Sequence, residues 1–408
     1  MNHLFDCKIG LEKESLRIDK SGRLAQTRHP FLGNPNIDRD FCENQVEIIT
    51  NPAGSPHDAY LEIKKLHQYV IKELSKQSEY LWLFSNPPYF ENDDEIPVAH
   101  FTGSLSYKAK YRRFLATKYG KRKMLYSGIH YNFSFGENLL KELFKNSGEK
   151  DYFTFVNSLY LHLAKWVVRY SWLIVFLTAA SPLFDESFFV NEKDKHLNRY
   201  ASARCSEIGY NNHFIPVIDY NNLSSYIKSI EHYVENGDII VPSELYYPVR
   251  LKSSGVNSLV TLGETGVNHI ELRMLDLNPL SEAGIFEEDI AFIHLLLLYL
   301  SNQQDFEFTN EMQTEAVKKM YCAALYDNDE FADEAAAIID KIKNYFKGSL
   351  PEYYENALTY QSEKIANPEK RYAIKIRKQF GNSFSLKGFE LSKQTTDLLI
   401  KRARTDDS

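Results

Sequence analysis

The chain has 408 residues, 43% of them hydrophobic and 14% aromatic, with a formal net charge of −7. Such a composition can bury a large core, which excludes disorder as the default state. The acidic balance excludes nucleic acid as a main partner, because neutralising phosphate needs a basic field.

In chain order, the first 50 residues read as strands, with a turn at DKSGR (19–23) and a Pro/Gly-punctuated loop at HPFLGNPN. A helix is predicted over 55–77, capped by Ser55 with Pro56 at its first position. Tyr60, Ile63, Leu66, Val70 and Leu74 make its apolar face. A polar loop over 86–98 precedes a basic helix from 107 that ends at Gly120. GIHYNFSF (128–135) reads as a strand, and Asp151 to about Leu177 as a long apolar helix. A loop-rich segment (186–215) leads to short strands around 238–251 and 256–277. From Ile285 the pattern is helical through Lys347, with further helices at 351–366 and 388–403. Strict strand–helix alternation is missing, so the expected class is α+β with an antiparallel sheet. The expected division is a catalytic sheet-and-helix core over 1–300 and a helical segment over 301–408 packed on it as one structural unit.

The longest apolar runs, WLIVFLTAA (172–180) and AFIHLLLLYL (291–300), are shorter than the ~18 residues of a membrane span and read as buried helices. The N-terminus MNHLFDCKIG is too short and polar for a signal peptide. Cys7, Cys42, Cys205 and Cys322 form no CxxC pair, which argues against zinc or disulfide scaffolds and suits a reducing cytoplasm.

Alternate residues of a strand share a face. In IGLEKES, Glu12 and Glu14 lie together, opposite Leu11. In DFCENQVEIIT, Glu47 points away from Val46 and Ile48, and Asp40 just precedes the strand. In GIHYNFS, His130, Asn132 and Ser134 share a face, as His269, Glu271 and Arg273 do in VNHIELRM. Any one of these strands could be the solvated outer face of a sheet. The four together carry acids, two imidazoles and one guanidinium instead of the usual Lys/Thr/Glu mixture. Gathered carboxylates repel and raise each other's pKa unless cations lie among them. Five acids and a histidine suit two or three Mg²⁺ ions bridging a polyphosphate, which is a phosphoryl-transfer arrangement. No GxxxxGK[ST], GxGxxG, HExxH or GxSxG motif occurs, so a nucleotide would be held by metals and sheet.

Seven blocks in order carry a family resemblance: GLEKESLRID, GRLAQTRHP, DFCENQVEIIT, GIHYNFS, ARCSEIGYNN (203–212), SELYYPVRLK (243–252) and IELRMLDLNPLS (270–281). They resemble the bacterial glutamate–cysteine ligases, or γ-glutamylcysteine synthetases, over roughly residues 8–285. The resemblance implies a glutamine-synthetase-like fold, a curved antiparallel sheet surrounded by helices. It implies ATP-dependent joining of the γ-carboxylate of L-glutamate to the amine of L-cysteine through a γ-glutamyl phosphate, the first step of glutathione synthesis. The alternative is the same chemistry with another small amino-acid or amine acceptor. Carried over, the metal ligands are Glu12, Glu14, Asp40, Glu47, His130 and Glu271, binding Mg²⁺ with Mn²⁺ as a substitute, and Arg273 faces the transferred phosphoryl group. Phe41, Tyr111, Leu115, Tyr210 and Tyr246 would line the acceptor pocket, with Arg204 at the substrate carboxylates. Met124 stands where familiar members carry a polar residue, and the C-terminal third shows no matching block. The implied protein is a cytoplasmic monomer acting on small molecules, with no nucleic-acid or membrane partner and with the second step of glutathione synthesis left to another protein.

Overall fold

In the computed structural model, residues 3–190 and 199–406 are described. Strands β1 (Cys7–Ile18), β2 (Ile37–Arg39), β3 (Gln45–Ile49), β5 (Gly128–Phe135), β6 (Val249–Lys252) and β7 (His269–Asp276) form a sheet in the order β2-β3-β1-β5-β7-β6. Every pairing is antiparallel, and the two-residue β4 (Tyr80–Leu81) pairs with the end of β1.

Surrounding this sheet are helices α1 (Pro56–Ser75), α2 (Ser106–Tyr119), α3 (Glu137–Ser147), α4 (Tyr152–Thr178), α5 (Leu223–Glu235), α6 (Leu259–Thr265) and α7 (Glu287–Ser301). The chain continues through α8 (Asn310–Ala323), α9 (Ala332–Tyr345), α10 (Glu352–Ala366), α11 (Tyr372–Phe380) and α12 (Phe384–Asp406). The fold is therefore α+β, with a helical C-terminal region.

Local chemistry sets several boundaries. Ser55 accepts from the Asp58 amide and Pro56 opens α1, as the sequence predicts. Asp151 caps α4 in the same way, accepting from Thr154. The two long apolar runs fall in α4 and α7, whose residues Trp172–Leu177 and Ile290–Leu300 are buried. Among the described residues, no helix is long and apolar enough to cross a membrane.

Three expectations need correction. Residues 259–265, expected as strand, form α6, because Ser258 accepts from the Thr261 amide and turns the chain into a helix. The stretch before β6 is a loop with a 3-10 turn at Pro242–Glu244. Helices α3, α5 and α11 stand where none was predicted; Asn222 starts α5 by accepting from Ser225. The 186–215 loop prediction partly covers residues 191–198, which lie outside the described residues.

One face of the sheet is core: Ile9, Leu11, Ile129, Tyr131, Phe133, Ile270 and Leu272 are fully buried in the main apolar cluster. That face is less uniformly apolar than alternation suggests. Lys13, between Glu12 and Glu14, is buried with its ammonium against His67 Nδ1, and Arg17 is buried in an ion pair with Glu79 at 2.5 Å. Burial lowers the Lys13 ammonium to about 7. Its stem packs on Gly284, whose φ of +84° and lack of a Cβ leave room; a Cβ there would come within 2.8 Å of Lys13 Cε. Asp289 of α7 accepts from Lys364 (3.0 Å) and Gln361 (2.9 Å) of α10 and from Tyr372 (2.7 Å) of α11.

Candidate active site

Register decides which polar side chains meet. Glu14 pairs with Glu47 across β1–β3, and Glu47 with Asp38 across β2–β3. Glu12 pairs with His130 across β1–β5, Asn132 with Glu271 across β5–β7, and Arg250 with Glu271 across β6–β7. Directly opposed residues on one face bring their side chains together. Between Ile129 and Tyr131 the β5–β7 register slips, since these pair with Leu275 and Leu272. Arg273 and Met274 thus oppose His130 alone, a bulge of the kind that re-aims a side chain.

A compact row results. His130 Nδ1 lies 3.2 Å from Glu12 Oε2 and 3.3 Å from Glu271 Oε1. Arg273 Nη1 is 2.9 Å from Glu271 Oε1, Lys252 Nζ is 3.2 Å from Glu271 Oε2, and Asn132 donates to Glu12 Oε1 at 3.0 Å. Burial acts to raise the Glu271 carboxyl, but Arg273, Lys252, His130 and Arg250 together hold it well below the usual range. Burial lowers His130, reinforced by Arg273.

The β1–β3 flank is electrostatically different. Burial first, then Asp40, pushes Glu14 up to about 8, although its Oε2 accepts from the Gly128 amide at 3.0 Å. Glu47 is raised well above the ordinary range by burial and by Asp40, Glu12, Glu14 and Asp38. Asp40 lies 3.9 Å from Arg112 Nη2 of α2, and its backbone carbonyl accepts from Arg112 Nε. The acids on this side outnumber the cations beside them, Arg112 near Asp40 and Lys108 3.8 Å from Asp38.

The donor set fits a divalent cation. Glu12, His130 and Glu271 each offer a ligand atom within 4.8 Å of the others, and His130 Nε2 is buried without a hydrogen-bond partner. Carboxylate oxygens are the hard ligands that Mg²⁺ and Mn²⁺ prefer, and the imidazole is the softer member of the set. Glu14, Asp40 and Glu47 fall outside this trio; Glu14 Oε1 is 3.9 Å from His130 Nε2.

The remaining predicted residues meet beside this row. Phe41, Leu115 and Tyr246 are buried in one apolar cluster with Met124, and Tyr111 and Tyr210 pack against it. The Tyr210 and Tyr246 rings are 4.2 Å apart, with their hydroxyls at 3.3 Å. Arg204 donates from Nη1 to the carbonyls of Arg273 (2.7 Å) and Leu275 (3.2 Å). Its guanidinium lies flat on Gly128, where a Cβ would sit 2.2 Å from Cζ. Arg204, Tyr210, Tyr246 and Arg273 line one cavity. Sequence reasoning missed Arg112, Arg250 and Lys252, although the alternation in VRLK puts the last two on one face.

Comparison with known proteins agrees with this architecture. The model of the family described as glutamate-cysteine ligase matches residues 1–322. The bifunctional glutathione biosynthesis protein GshAB of Listeria welshimeri is 36% identical over 92% of this chain and 52% of its own length. The chain thus spans about half the length of the curated relatives it matches, and the alignment runs into the C-terminal helices, where no block was recognised. The crystal structure of a bifunctional glutathione synthetase from Pasteurella multocida superposes with a TM-score of 0.87 at 28% identity, covering 98% of this chain and 54% of that one. A glutamate–cysteine ligase from Francisella tularensis, solved with AMP, shares the fold with a TM-score of 0.85 at 24% identity, covering 97% and 89%. The chain belongs to the glutamate-cysteine ligase family.

Proposed function

We propose that the chain is an ATP- and Mg²⁺-dependent ligase that joins the γ-carboxylate of L-glutamate to the amine of L-cysteine. The observation that carries this reading is the polar sheet face, where Glu12, His130, Glu271 and Arg273 form one row beside an aromatic cavity. Family membership supports it, as does the name of the Listeria relative.

In this mechanism a glutamate γ-carboxylate oxygen attacks the γ-phosphorus of ATP, ADP leaves, and a γ-glutamyl phosphate forms. The acceptor amine then attacks the acyl carbon, inorganic phosphate departs with the C–O bonding pair, and the amine loses a proton. Glu12, His130 and Glu271 would hold one divalent cation, and Glu14, Asp40 and Glu47 one or two more. When bound, these ions neutralise triphosphate charge and polarise the transferred phosphoryl group. Arg273 presents a planar, permanently charged fork suited to the equatorial oxygens of that group. No enzyme nucleophile is required. Cys42, beside Phe41, has its thiol pushed far up by burial and remains unreactive.

The cavity lined by Tyr210 and Tyr246, backed by the buried cluster that holds Phe41, Leu115 and Met124, would select a small, largely apolar acceptor side chain. Apolar packing discriminates one methylene by only about 1–3 kcal/mol. A small non-thiol amino acid is therefore the second reading, favoured by buried Met124. ADP formation with glutamate and a panel of amines tests both: cysteine is expected to lead, and a preference of about twentyfold for a non-thiol amine would transfer the assignment. We further propose a cytoplasmic monomer with one sheet-and-helix core, on which residues 301–408 pack.

A further inference from the structure

The polar face carries unevenly placed charge. On the β7–β6 flank, Arg273, Lys252 and Arg250 surround Glu271, with Glu12 the next nearest acid. That flank has more cations than acids, whereas the β1–β3 flank has the reverse. Glu271 Oε1 already meets both Arg273 and His130, so Lys252 on Oε2 is a second full cation on one carboxylate.

The cations of this flank are not equally committed. The Arg250 guanidinium donates to the carbonyls of Ser243 (2.7 Å) and Leu245 (3.1 Å). Arg273 is paired with Glu271 and its carbonyl is held by Arg204. Lys252 has three donor protons and, among the described residues, one ion pair, with Glu271, while also attracting Glu12 at longer range. It sits on the last strand of the sheet, opposite His269, and its side chain is 14% exposed. His269, Glu12 and Asn132 line the cleft at this end of the sheet, and Lys252 lines the neighbouring cavity with Arg250. A cation held at Glu12, His130 and Glu271 would neutralise the Glu271 carboxylate on which Lys252 now rests and repel its ammonium. The ammonium must then turn to another anion, and a nucleotide polyphosphate is the one the reaction brings.

We propose that Lys252 is a further catalytic residue, whose ammonium donates to a non-bridging oxygen of the β- or γ-phosphate of the nucleotide. The ammonium is a compact point charge that follows the phosphate as negative charge moves onto the departing ADP, complementing the fixed fork of Arg273. This role rests on the nucleotide-dependent ligase reading above.

The test is equilibrium binding of the β,γ-imido analogue of ATP and of AMP, both with Mg²⁺, to wild type, Lys252→Met and Lys252→Arg. A charged hydrogen bond to phosphate predicts that Lys252→Met weakens the imido analogue on the order of 10- to 100-fold while AMP changes less than about twofold. Lys252→Arg is expected to recover most of that loss. Equal weakening of both ligands, or none of either, overturns the proposal in favour of a purely structural ion pair with Glu271. Lys252→Gln replaces the Met variant if the latter fails to fold, with the same outcomes. If wild type binds neither ligand, the ligase reading itself falls; if wild type binds both and the variants match it, only the role of Lys252 falls.

Discussion

Replacing Glu14 by Gln should stabilise the metal-free protein while weakening its response to metal. Folding lifts the Glu14 carboxyl from an ordinary 4.5 to about 8, chiefly by burial and by Asp40. A raised acid contributes stability that is complete below the unfolded-state value and is lost as pH rises toward the folded-state value. At pH 7 the loss is about 3 kcal/mol, from 1.36 kcal/mol per pH unit of the interval already crossed. Gln cannot ionise, is close to isosteric, and keeps an oxygen to accept from the Gly128 amide. With an unfolding entropy of roughly 2 cal/mol/K per residue, the metal-free variant should melt about 3–4 °C higher at pH 7. The gap should shrink to about 2 °C near pH 5.5. Adding Mg²⁺ at roughly 100 times its dissociation constant stabilises wild type by about 2.7 kcal/mol and should close most of the gap. Thermal unfolding monitored by circular dichroism, in EDTA and in Mg²⁺ across this pH range, measures all of these. A variant that melts below wild type in EDTA at pH 8, or a gap that ignores pH, would refute the reasoning.

Three further outcomes can be checked directly. Gly128→Ala drives a Cβ into the Arg204 guanidinium and should lower kcat/KM for the acceptor on the order of 10²-fold; unchanged acceptor kinetics would show that Arg204 does not read the substrate. Arg273→Lys keeps the charge but loses the fork, so single-turnover phosphoryl transfer should slow about 10²-fold with KM for ATP within a few-fold; a change in KM alone would deny Arg273 a role in the transition state. Lys364→Met leaves Asp289 buried beside only neutral donors, Gln361 and Tyr372, and should cost about 3–5 kcal/mol in chemical denaturation. Adding Asp289→Leu should restore part of that loss; a single variant as stable as wild type would remove the ion pair from the stability account.

Elements with local signals were legible in the sequence. Ser55–Pro56 and Asp151 mark where α1 and α4 begin, because a cap acts within its own first turn. Strand alternation placed Glu12, Glu14, His130 and Glu271 on one face, because the other face of their strands is core. Strand order and register were not legible. Nothing local says that Glu12 meets His130 and Glu271 while Glu14 meets Glu47, or that Asp40 stands near Arg112 of a distant helix. The bulge at Arg273 and Met274 also breaks simple alternation, since its extra residue shows only when β5 is laid alongside. The burial of Lys13 and Arg17 was not legible for a similar reason: their partners His67 and Glu79 come from outside β1.

The layout of the polar face also bears on how the chain assembles. Glu12, Glu14, Asp40 and Glu47 emerge early in synthesis, whereas Lys252 and Arg273 follow only after α5. A β3–β1 hairpin pairing formed on its own would hold Glu14 against Glu47 with no guanidinium or ammonium from β6 or β7 to offset them. Pairing β5 with β7 closes a loop about a third of the chain long, and such long loop closures make folding slow. Under the proposed metal-dependent reading, divalent ions bound to the early strands would offset that repulsion until β7 closes the sheet.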